Sequence, residues 1–380
     1  MIEEPIKTKA ERSRLHAHSS IRDDVWHRDH QAGAYEWWYF DAISDDGRDA
    51  LVVIFLANFV FSPRYNRAIA ESSRGTGLTP PPAKFPAVAV TLYRDGRPLV
   101  RSISEYRSEE FTARSDHPAC RIGHSGFRLE QDSREARYLI TLNAPLRRGR
   151  RLEGQFEWLV RSGDFNADES RNVNPTDQAD TAAHEWNLVA PRCDVSGTLD
   201  VVEPGGKTVK HIFSGSGYHD HNRDRRPLPV TIVEWQWGRA HFDDITAVFY
   251  RYREVSEQES TTRLFIVRND ELQVRKAQYA MKDERRHYFG LRYARDLQIA
   301  AEAEGRRCAN FKLNLRQHLV DSSFFYLRFV SEAMLDAGDG RTRRAIAITE
   351  HLAPRALRWR WLWWLTDMRI GRNDQASFLP

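Results

Sequence analysis

The stretch Tyr35 to Ala42, YEWWYFDA, constrains the fold most, because a run this rich in aromatic side chains suits a pleated strand better than a helix. Period two puts Glu36, Trp38 and Phe40 on one face and Trp37, Tyr39 and Asp41 on the other. SDDGRD then reads as a turn and LVVIFLANFVF as a buried returning strand, which makes a hairpin. The same texture recurs in AVAVTLYRDGRPLV, with its turn at Asp95-Gly96, and in RYLITLNA and LEGQFEWLV. It continues in TIVEWQWGRAHF, ITAVFYRYRE, FKLNLRQHLV and FFYLRFVSEAML. Short strands with little helix between them predict an all-β chain of antiparallel barrels or sandwiches.

At 380 residues the chain is too long for one ordinary core. The echo of YEWWYF in VEWQWGR suggests two related β domains, expected at 21–210 and 211–380 behind a poorly ordered polar tail over 1–20. Ser62 to Pro86 reads as a long loop with one short helix near Asn66 to Ser73, and residues 162–182 as an exposed polar insertion. The C-terminal ALRWRWLWWLTDMRIGR predicts a short helix with Leu357, Trp361, Trp364, Leu365 and Met368 on one face and arginines flanking it. Such a face fits docking on the protein's own barrel first. It also admits peripheral membrane contact through Leu357 to Arg369, or a partner interface.

The net charge of +4 is small against 57 basic and 53 acidic residues and is spread along the chain, so nothing in the balance calls for nucleic acid. Cys120, Cys193 and Cys308 make neither a metal spacing nor an even disulfide set, which points to a reducing, cytoplasmic setting. The first twenty residues lack an apolar signal core, and no eighteen uncharged apolar residues follow one another, so export and membrane spanning are disfavoured. Gly206-Lys207-Thr208 resembles the end of a phosphate loop, yet Val201 stands where that motif needs glycine.

The densest cluster of site-forming side chains is Gly217 to Arg239, GYHDHNRDRRPLPVTIVEWQWGR. His219 and His221 have the i, i+2 spacing of metal ligands on a strand, but no third ligand is evident, so no metal is expected. Asp220 between them reads as an acid, or as a group that orients an imidazole or caps a turn. Glu36 and Glu234 read as pocket acids or as partners for buried arginines such as Arg239. Trp37, Trp38, Trp235 and Trp237 are core aromatics by default, though some must line any pocket the barrel has.

YEWWYFDAISDDG, HEWNLVAPRCDVSG, GYHDHN and EWQWGRA, in that order, resemble the carotenoid hydratase (hydroxyneurosporene synthase) family, whose relatives include lipocalin-like Diels-Alderases and other cyclases. The resemblance implies two lipocalin-like β domains with a mostly apolar pocket between or within the barrels. It implies protonation of an alkene in a lipophilic isoprenoid or polyene, leading to hydration or cyclisation without metal or organic cofactor. Asp220 with His219 and His221 would handle protons, with Glu36 and Glu234 as reserve acids. Trp37, Trp38, Tyr39, Asp41, Tyr218, Asn222, Trp235, Trp237, Arg239 and Tyr250 would form the substrate site. A pericyclic cyclase and a non-catalytic carrier are the alternatives. Two departures bear on the reaction: Arg223 and Asp224 replace the Trp and Gly that often follow H-D-H-N, and Arg251 stands where hydratases place an acid.

Overall fold

The computed structural model describes residues 15–28, 31–165, 167–168, 184–301 and 311–379. Residues 1–14 of the expected tail, most of the insertion read at 162–182, and Cys308 lie outside them; Cys120 and Cys193 are free and buried.

Two β units form. In the first, Tyr35–Ser44 pairs antiparallel with Asp49–Leu56, and Ala87–Arg94 and Arg97–Glu105 continue the sheet. Asp95 and Gly96 both have positive φ, 51° and 73°, as a tight hairpin turn of the primed type requires. On its other side Tyr35–Ser44 pairs with Thr208–Asp224, and the order then runs through His184–Val202, Arg150–Ser162, Ala136–Leu146 and Ser125–Gln131. The sheet curls until Ser102 Oγ reaches Pro145 O at 3.4 Å. Trp38 and Phe40 fill its inside with Ile140 and Trp158, whereas Trp37 and Tyr39 face outward. The outward face is apolar because the second unit covers it. That unit is a closed antiparallel barrel of eight strands from Ile232–His241 to Thr342–Leu352, its first and last strands paired from Trp235–Leu352 to Ala240–Ala347. The fold is therefore all-β, with two lipocalin-like units and a short C-terminal helix.

Buried and half-buried polar contacts tie the units together. Arg239 Nε donates to Asp41 Oδ1 at 2.8 Å, Arg101 pairs with Asp321 at 2.8 Å, and Tyr39 OH donates to Glu350 Oε1 at 3.0 Å. The loop after Asp49–Leu56 carries the helix Pro63–Ser72, started by proline at its first turn and by Ser62, whose side chain accepts from Arg64 N. No helix among the described residues is long and apolar enough to cross a membrane.

Three sequence expectations need correction. Leu15–Ser19 is a strand, parallel to His184–Asn187, because Leu15, Ala17 and Ser19 alternate into the core within a stretch whose polar residues mask that period. The 210/211 boundary falls inside Thr208–Asp224; the crossing between units lies at 225–231, since the EPGGKT turn closes a hairpin within the first sheet. The C-terminal segment is no continuous helix. Pro354–Arg358 and Arg360–Leu362 are 3-10 turns and only Trp363–Asp367 is α-helical. Trp363 Nε1 donates to Leu357 O at 2.6 Å, taking up a carbonyl that a longer helix would use. The chain then returns to the first unit, where Gly371–Arg372 lies beside Ser104 and Glu105.

Candidate active site

Where the outward faces of the two units meet they leave a cavity of about 230 Å³. Trp37 comes from the first unit and Trp235 and Trp237 from the second, with Trp37 stacked on Trp235 at 5.4 Å between ring centres. Phe289 and Phe325 extend the apolar wall, and Glu350 and Arg328, paired at 2.9 Å, form a polar side.

Asp220 reaches this cavity because strand period two turns Tyr218, Asp220 and Asn222 to one side of Thr208–Asp224. Three neighbours hold the carboxyl. Trp186 Nε1 donates to Oδ2 at 2.9 Å, Tyr218 OH donates to Oδ2 at 2.8 Å, and Asn222 Nδ2 donates to Oδ1 at 2.8 Å. Burial nevertheless outweighs these donors and, with the nearby charges of Glu350 and Asp41, pushes Asp220 up to about 7. A carboxyl in that range can carry a proton at neutral pH and give it to an apolar ligand.

His219 and His221 point the other way, into the first unit. His219 lies on Phe40 at 3.8 Å and meets Asp24 Oδ2 through Nε2 at 2.9 Å. His221 is held between two carboxylates, with Nδ1 3.1 Å from Asp24 Oδ1 and Nε2 2.7 Å from Glu36 Oε1. Burial alone would lower the imidazole; Asp24 and Glu36 overcome it and raise it to about 9. For Asp24, burial works upward, but His219 and His221 bring it down to about 2. His27 Nδ1 also meets Glu36 Oε1, at 2.9 Å. The ligand atoms of His27, Glu36 and His221 lie within 4.8 Å of one another, a spacing a metal ion could use, and an imidazolium between two carboxylates accounts for the same geometry.

Of the remaining sequence-derived candidates, Trp37, Tyr39, Asn222, Trp235 and Trp237 line the cavity with Asp220. Trp38 stacks on His221 at 4.7 Å inside the first unit, on the same side as Glu36. Asp41 and Arg239 form the fully buried clamp between units, so the carboxylate that meets Arg239 is Asp41 rather than Glu36 or Glu234. Glu234 is paired with Arg251 at 2.8 Å, away from the cavity lining. Tyr250 packs on Trp186 at 4.7 Å and shares a hydrogen bond of 2.7 Å with His184, whose imidazole burial lowers to about 3. Sequence reasoning did not select Trp186, Asp24, His27 or Glu350. Trp186 stands in one of the recurring Glu-Trp pairs, which was its available signal; the other three carry no local pattern.

Fold and site together define a two-unit β-barrel protein with an apolar cavity between the units and a buried carboxyl on its wall. The chain belongs to the carotenoid hydratase family: the family model "Carotenoid hydratase CrtC" matches residues 53–379. It is 26% identical over 360 residues to a hydroxyneurosporene dehydrogenase of Chlorobaculum tepidum, covering 93% of this chain and 91% of that protein. It is 30% identical over 220 residues to an acyclic carotenoid 1,2-hydratase of Thiocapsa roseopersicina, a match that spans 57% of this chain and 47% of that hydratase. The crystal structure of CghA with Sch210972 shares the fold, with a TM-score of 0.58 at 11% identity over 85% of this chain and 89% of that one.

Proposed function

We propose that this protein protonates an alkene of a long lipophilic polyene through Asp220 and directs the resulting cation to hydration or cyclisation. Membership of the carotenoid hydratase family makes it an enzyme of the hydro-lyase or cyclase kind acting on a lipophilic small molecule. The observation that carries the finer reading is Asp220, raised to about 7 on the wall of a cavity faced by Trp37, Trp235 and Trp237.

In the step proposed, the alkene π pair takes the Asp220 proton to form a C–H bond and leaves a tertiary cation at the adjacent carbon. Asp220 becomes a carboxylate. Tryptophan faces stabilise the cation while it lasts. Water then adds and releases a proton that returns to the carboxylate, for a net addition of water. In a cyclisation a second alkene of the same chain attacks instead, and loss of a proton restores Asp220. The cavity of about 230 Å³ is below the range of about 300–1,000 Å³ of sites that engulf drug-sized ligands, so a long polyene would enter by one end.

Turnover in D2O tests the reading. Protonation predicts one carbon-bound deuterium in the product. Turnover without carbon-bound deuterium would instead favour a pericyclic cyclase, and polyenes recovered unchanged after long incubation would favour a carrier.

A further inference from the structure

The C-terminal segment leaves an aromatic surface at the mouth of the cavity. Trp361 is 72% exposed, Trp364 56% and Phe378 71%, whereas tryptophan is on average a well-buried residue. Trp364 directly precedes Leu365 and Phe378 directly precedes Leu379, and both leucines line the cavity. Tyr288, 75% exposed, lines it as well. The break-up of this segment into 3-10 turns and one helical turn explains the exposure: Leu357 and Leu362 are drawn into the core and Trp363 packs against it, while Trp359, Trp361 and Trp364 are turned outward.

The charge of the segment is one-sided. From Ala353 to Thr366 the chain has Arg355, Arg358 and Arg360 and no acidic residue, and all three arginines are exposed. Arg360 lies over the Trp363 ring at 5.7 Å. Aromatic side chains with one apolar end, set among arginines, fit the boundary between acyl chains and headgroups. Positive charge selects anionic headgroups there.

We infer that this rim docks on the surface of an anionic phospholipid bilayer, with Trp361 and Trp364 entering the interface and Arg355 and Arg358 meeting lipid phosphates. The cavity mouth would then face the membrane, and the part of a long polyene that does not fit the cavity could stay among the acyl chains. This goes beyond the reading of the reaction, and its test needs no turnover.

The test is co-sedimentation of the full chain with vesicles, without substrate. The expected result is binding to phosphatidylcholine vesicles containing phosphatidylglycerol, at least tenfold tighter than to phosphatidylcholine alone and weakened by salt. Trp361→Ser with Trp364→Ser should weaken it at least tenfold, and Arg355→Glu with Arg358→Glu by about fivefold or more per position, with melting temperatures unchanged. Absence of sedimentation with either vesicle, equal binding to both, or variants that bind like the parent would each overturn the inference. So would a tryptophan-dependent dimer in analytical ultracentrifugation in place of vesicle binding, which would make the patch an interface between copies.

Discussion

Asp220 and His221 are neighbours in the chain and lie on opposite faces of one sheet. Asp220 takes hydrogen bonds from Trp186 and Tyr218 beside the cavity, while His221 sits between Asp24 and Glu36 inside the first unit. The two residues therefore serve separable purposes. The aspartate is placed where burial keeps its proton near neutral pH, and the histidine where two carboxylates hold its charge.

The rate of turnover should follow protonation of Asp220. With its carboxyl raised to about 7, the acid form dominates below that pH, so kcat is expected to be level below about 7 and to fall tenfold per unit above it. A pH profile of single turnovers, flat from 6 to 9, would remove Asp220 as the titrating acid.

Stability should show the His221 network separately. Its folded pKa of about 9 lies above the ordinary 6.5, so its stabilising contribution is complete below 6.5 and is lost as pH rises through 9. The melting temperature is expected to drop across that window. His221→Gln should destabilise the fold by about 3–5 kcal/mol at neutral pH, because it removes the imidazolium that Asp24 and Glu36 share, and should flatten the drop. Denaturant melts at pH 6, 8 and 9.5 on both proteins check this.

The clamp between units makes a third case. Arg239 and Asp41 are both fully buried, so Arg239→Met leaves a buried carboxylate alone and is expected to cost about 3–5 kcal/mol. Adding Asp41→Leu should recover most of that loss. Equal melting of the single and double variants would show that the pair is not what couples the units.

How far the sequence could be read follows from the range of each signal. Period two in YEWWYFDA separates Trp37 and Tyr39 from Trp38 and Glu36, and that division survives intact because it is local to one strand. The same rule applied to H-D-H-N would have parted Asp220 from its histidines. Grouping the three by adjacency overlooked that successive side chains in a strand point apart. Asp24, 195 residues from His219, and Glu350, 311 from Tyr39, enter only through closure of the sheets, so no local pattern announces them. The C-terminal segment misled through its 3.6-residue period. Its leucines do go inward, but by way of tight turns that a helical wheel does not describe. Arg251, where an acid was expected, pairs with Glu234 away from the cavity lining, so that departure does not remove the acid that the cavity itself presents.

The most direct measurement is turnover of an acyclic polyene by Asp220→Asn. The amide keeps the size of the carboxyl and can still accept from Trp186 or Tyr218, but it has no proton to give near neutral pH. Product formation is expected to fall by about 10²–10⁴-fold with the melting temperature nearly unchanged. Turnover at the parent rate by a folded Asp220→Asn protein would contradict the assignment of Asp220 as the acid.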